Sequence, residues 1–203
     1  MFFRLVSGPR RPSEWNGHRG GGMNAGALGM LIFLVSLSVL FIASLVLFVI
    51  ARFQVPAWPQ TGVRAIVGGL AIASVFMVAS GATMHAGLHF ARRGNPAALR
   101  AAMVATMALG VAFIVAQALN WVALPALGLV ATRSLFAWLF YALTGLHALH
   151  VLGGFVPLTW VTLNSFRNRY TPVSHQGVLN CAIYWHFLDG VWLVMLATML
   201  IAG

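Results

Sequence analysis

The run Tyr184-Trp185-His186-Phe187-Leu188-Asp189-Gly190-Val191-Trp192 sets an imidazole and a carboxylic acid inside a stretch apolar enough to cross a membrane. Ionisable groups at such depth are costly, and where they occur they carry a proton, a ligand or a structural pairing. His186 and Asp189 are three residues apart and face the same way on a helix, while Trp185 and Trp192, seven apart, share a neighbouring stripe. Asp189 is the only acid in any apolar segment, so it must be protonated or paired. His186 is its nearest helical partner, and His150 is a further candidate if the last two apolar segments pack together.

Four other histidines come in pairs. His85 and His89 are one helical turn apart, and His147 and His150 share a face. Two pairs on two helices suggest the bis-histidine haem sites of a membrane cytochrome b. The spacing opposes that reading, because His147 and His150 are separated by only about 4.5 Å of helical rise, too little to serve two stacked haems. Hydrogen-bonded packing is the expectation for both pairs. Gln117 and Asn120 lie on one face beside Trp121, where neutral amides more commonly join helices than bind a substrate. Gly68, Gly69, Gly81, Gly110, Gly145, Gly153 and Gly154 are expected at close helix contacts. Trp58, Trp121, Trp138 and Tyr170 are expected as interfacial anchors. There is no nucleophile with a base, no phosphate loop, no Cys/His metal spacing and no carboxylate pair, so the chain does not read as an enzyme sufficient in itself.

The elements that must hold these residues follow from composition. At 203 residues, 61% hydrophobic and 7% charged, the chain has too little polar surface for a soluble globule. Five segments, about 27–51, 65–90, 101–124, 135–163 and 178–202, are long and apolar enough to span a bilayer, and none holds an arginine or lysine. The fold class is therefore all-α, a polytopic integral membrane protein of five transmembrane helices (residues 25–203) preceded by a basic cytoplasmic arm, residues 1–24. The net charge of +10 arises from twelve arginines against Glu14 and Asp189. Because the arginines lie between the apolar segments, they read as topology signals and not as a nucleic-acid surface. Nine fall on one side and three (Arg52, Arg64, Arg133) on the other, which puts the N-terminus in the cytoplasm and the C-terminus outside. The lone Cys181 is silent on compartment.

Four blocks in register carry a resemblance. The Tyr184–Trp192 run is similar to the last-helix signature of subunit III of haem-copper cytochrome oxidases. Thr144-Gly145-Leu146-His147-Ala148-Leu149-His150-Val151 with Gly153-Gly154 resembles the family's preceding helix. Thr106, Leu109-Gly110, Phe113 and Gln117 resemble its T-x-x-L-G-x-x-F-x-x-x-Q pattern, and Gly29-Met30 with Phe33 and Ser36 resembles the opening of its first conserved helix. Five spans match the shorter members of that family.

The resemblance implies tilted helices around a lipid-filled cleft, packed against the catalytic subunit I and with subunit II nearby. It implies no haem or copper in this chain, haem and copper in the partner, bound phospholipid and support of proton uptake. His89, Gln117, Asn120, His147, His150, Trp185, His186, Asp189 and Trp192 become structural or lipid-cleft residues, with no catalytic, cofactor or metal role. Three departures bear on proton uptake: Asn120 stands where the family has a glutamate, Leu37 follows Ser36 where it has Ser-Glu, and Leu179 replaces an acid before the last signature. Amide and alkyl groups exchange no proton near neutral pH, so the scaffold and lipid roles are favoured, and Asp189 is read as a structural lock in preference to a proton carrier.

The expected function is that of an accessory, non-redox subunit of a respiratory terminal oxidase, of either cytochrome c or quinol, in a bacterial inner membrane, with no nucleic-acid partner. The alternatives are a homologous subunit associated with nitric oxide reductase, a self-contained bis-histidine cytochrome b, and a small secondary transporter.

Overall fold

The computed structural model describes residues 25–54, 60–128, 130, 132 and 134–202. The arm, the Pro56-Ala57-Trp58-Pro59 break with its anchor Trp58, and Arg133 lie outside the described residues. Five long helices carry the chain: α1 (Ala25–Gln54), α2 (Gln60–Arg92), α3 (Pro96–Ala123), α4 (Leu135–Phe166) and α5 (Gln176–Ala202). All five are long and apolar enough to cross a membrane. A short 3₁₀ turn, Leu124–Leu127, follows α3.

Helix ends are set by local chemistry. After α2, Gly94 takes φ +68°, and the amides of Gly94 and Asn95 bond back to the Ala91 and Phe90 carbonyls. The left-handed residue closes the helix end as a glycine does best. Asn95 then caps α3, accepting from the Ala98 amide at 3.1 Å, with Pro96 in the first turn. Asn168 (φ 53°) closes the end of α4 as Gly94 closes α2, the Asn168 and Arg169 amides reaching the Ser165 and Asn164 carbonyls. Arg100 of α3 locks that cap: its Nε donates to the Ser165 carbonyl at 3.2 Å and Nη2 to Asn168 Oδ1, and its guanidinium lies over the Phe166 ring. Arg92, Arg93, Arg100, Arg167 and Arg169 thus share one end of the bundle, where the α2–α3 and α4–α5 connections meet at Gly94 and Pro172. Nearby, burial pushes the Tyr170 hydroxyl above its ordinary pKa, against the opposing pull of a hydrogen bond to Asn164.

Helices α2 and α3 form the most extensive pairing, and α2, α3, α4 and α5 close around a shared interior. Helix α1 lies outside this group and, among the described elements, packs only on α4 and α5. Most of its apolar side chains are exposed, as suits lipid.

Candidate functional site

The interior is organised by the two indoles expected to share a stripe. Trp185 and Trp192 are both buried, and each sends its ring nitrogen across to α2: Trp185 Nε1 donates to Ser80 Oγ and Trp192 Nε1 to Ser74 Oγ, each at 2.9 Å. Helices α2 and α5 run antiparallel, so residues seven apart on one meet residues six apart on the other. Trp185 packs onto Gly110 of α3 and Gly154 of α4, positions where a Cβ would come within 3.0–3.3 Å of its ring. Its ring centroid lies 5.7 Å from that of Phe155. Trp192 stands edge-on to Phe113 at 4.9 Å and 5.2 Å from His147.

His147 is fully buried among Phe41, Phe113 and Trp192, and neither ring nitrogen has a hydrogen-bond partner among the described residues. Gln117, 1% exposed, likewise has both amide atoms unpaired. The expectation of hydrogen-bonded packing therefore fails for His147, because the aromatic rings that enclose it offer no acceptor. His150 differs: its Nδ1 lies 2.7 Å from the Leu146 carbonyl and its own carbonyl accepts from Tyr184 Oη at 2.9 Å. It faces Phe41 of α1, so it does not reach Asp189. The joining of α3 to α4 falls instead to Trp121, whose Nε1 donates to Thr144 Oγ1 at 3.0 Å and whose carbonyl accepts from Tyr141 Oη at 2.9 Å. Trp121 is thus turned inward and is not an anchor, whereas Trp138 and the unanticipated Trp160 are exposed.

Asp189 pairs with its expected neighbour, Oδ2 lying 3.5 Å from His186 Nδ1. The carboxylate rests on Gly81 of α2, where a Cβ would overlap it. Asn120 repeats this arrangement on Gly69, so it turns toward α2 while Gln117 is buried one turn away. Of the seven glycines expected at close contacts, Gly69, Gly81, Gly110 and Gly154 are so placed, but Gly68, Gly145 and Gly153 have nothing within 4 Å of a Cβ position. Gly87, under the Met103 side chain, was not anticipated. Across the helix pair the His85 ring approaches that of His186, with centroids 5.9 Å apart, a juxtaposition that needed the inter-helix register to be seen. His89 is exposed near the arginine-rich end. Among the described residues no three His, Cys, Asp or Glu side chains are grouped so as to hold a metal ion.

This helical order and these motifs have counterparts among known proteins. The sequence profile described as cytochrome c oxidase subunit III matches residues 11–203. Cytochrome c oxidase subunit 3 of Synechocystis is 34% identical over 188 residues, covering 91% of this chain and 78% of that protein. The probable cytochrome c oxidase subunit 3 of Nocardia farcinica is 27% identical, covering 86% and 87% of the two chains. Cytochrome c oxidase subunit 3 of Thermostichus vulcanus is 29% identical, covering 83% of each. With a match across nearly its whole length and five membrane-spanning helices to carry it, the chain belongs to the cytochrome c oxidase subunit III family.

Proposed function

We propose that the chain is an accessory, non-redox subunit of a haem-copper terminal oxidase, which steadies the catalytic subunit and holds phospholipid while dioxygen is reduced, with proton translocation, at haem and copper in that partner. One observation carries the reading: the hydrogen-bonding side chains that cross between helices at depth are spent on joining helices, through Trp185 to Ser80, Trp192 to Ser74 and Trp121 to Thr144. A rigid bundle of this kind is a scaffold. The packed rings of Phe41, Phe113 and Trp192 around His147 occupy the space that a haem plane would need, which supports placing the redox centres in another chain.

A lipid role has its own support. A groove of about 720 Å³ opens between α4 and the start of α5, lined by Phe155, Pro157, Trp160, Leu163 and Gly177 among others, and almost wholly apolar. It lies on the half of the bundle that ends in Arg167 and Arg169, both exposed. Acyl chains fit the groove, and an anionic headgroup fits the arginines above it. The nine-to-three division of arginines supports an orientation with that end in the cytoplasm.

The test is purification from native membranes in mild detergent, followed by a redox difference spectrum, a subunit inventory and lipid analysis. The chain is expected to travel with a haem-bearing catalytic subunit and with phospholipid, and to show no Soret band once separated. A stoichiometric haem on the separated chain would overturn the reading.

A further inference from the structure

We infer that the exposed crest of α5 around His186 and Gly190, with the adjoining edge of α2 at His85, is the surface on which one transmembrane helix of the catalytic subunit docks. The inference rests on the accessory-subunit reading above and adds the face by which the subunit is held.

Three observations converge on this crest. His85 and His186 lie well inside their spans, seven residues before the end of α2 and ten after the start of α5, yet both are exposed, the His186 side chain by 41%. Imidazoles facing hydrocarbon are expensive, and polar groups at this depth face protein or a wet cavity. One helical turn beyond His186, Gly190 is exposed with nothing within 4 Å of where a Cβ would stand, although it sits in the middle of a spanning helix. An uncovered glycine is of no use to lipid but permits a neighbouring backbone to come close. Beside both runs a groove of about 320 Å³, bounded by Ser38, Phe41 and Leu45 of α1 and by His186, Gly190 and Val194 of α5. It has room for side chains of a crossing helix.

The chemistry selects the occupant. Lipid tails offer no hydrogen bond at this depth. A second copy of this chain brings no carboxylate to these rings, because Asp189, its only acid within a span, is already committed to His186 and seated on Gly81. A helix of a different subunit that carries hydroxyl, amide or carboxyl side chains satisfies the rings. The outer face of α1, by contrast, presents Ile32, Val35, Val39 and Val46, which suit lipid as they stand.

The test compares two glycines that are equally open within this chain. Gly190→Leu and Gly153→Leu both set a Cβ where nothing lies within 4 Å, and helix content and membrane level of each variant are compared with wild type to show that the bundle is kept. Gly190→Leu is expected to reduce retention of the catalytic subunit roughly tenfold on detergent purification, and Gly153→Leu to leave it unchanged. His85→Leu should weaken retention comparably, with recovery in His85→Asn, which keeps a hydrogen-bonding group; His186 is left in place because it also holds Asp189. A photo-crosslinker at Ala82 or Leu193 should label the catalytic subunit, and one at Val39 should not. If the wild-type complex forms but Gly190→Leu retains it fully, or the crosslinks arise from Val39, or Leu193 labels only a second copy or lipid, the docking face is wrong while the accessory reading stands. If the wild-type chain travels with no haem-copper subunit at all, both fall.

Discussion

The carboxylate of Asp189 on α5 sits in the notch left by the absent side chain of Gly81 on α2, so that the one acid in any span is seated on a neighbouring backbone. Gly81→Ala must push the carboxylate away and break its approach to His186. A loss of about 1–3 kcal/mol is expected, read as a lower melting temperature of the complex. Combining it with Asp189→Ala removes the overlap and should recover part of the loss.

Asp189→Asn keeps the shape over Gly81 and removes the charge. As a lock, Asp189 makes this variant release the subunit more readily in detergent while initial turnover and proton uptake remain close to wild type. Proton uptake slowed several-fold with subunit content unchanged would move Asp189 into a proton path.

The bond from Trp192 to Ser74 joins α5 to α2 at 2.9 Å. A double-mutant cycle of Trp192→Phe and Ser74→Ala should return a coupling of about 0.5–2 kcal/mol, the range for interhelical hydrogen bonds in membranes. Additive single effects would show that the bond contributes nothing.

His147 has no hydrogen-bond partner to abandon among the described residues. His147→Leu, similar in volume and without polar atoms, should change stability by less than about 1.5 kcal/mol or raise it. The haem content of the purified complex should not change.

For topology, alkaline phosphatase fused after Gly203 should be active and a reporter that works only in the cytoplasm should be silent. The reverse pattern would invert the proposed orientation.

The apolar runs made five helices legible from composition, and the spacing of His186 and Asp189 made their pairing legible, because both signals lie within one helix. What the sequence withheld was register between helices. Gly81 and Gly145 are the same residue in similar surroundings, yet one carries a carboxylate and the other faces open space. Helices that are apolar on every side do not announce which face turns inward. The proximity of His85 to His186 and the isolation of His147 from any acceptor were hidden for the same reason. Trp121 misled because its place near a helix end suggests an interface, whereas Thr144 and Tyr141 across the gap draw it inward.

That α1, among the described elements, packs only on α4 and α5 bears on how the protein is made. Of the five helices it is the first to leave the ribosome, but roughly 80 further residues must follow before α4 begins, some 4–16 seconds at about 5–20 residues per second. During that interval the α2–α3 hairpin can close by itself, while α1 waits alone in the bilayer. A helix without a charged residue before Arg52 is fit for such a wait. Polar substitutions on its lipid-facing side should therefore harm insertion during synthesis far more than they harm the finished bundle.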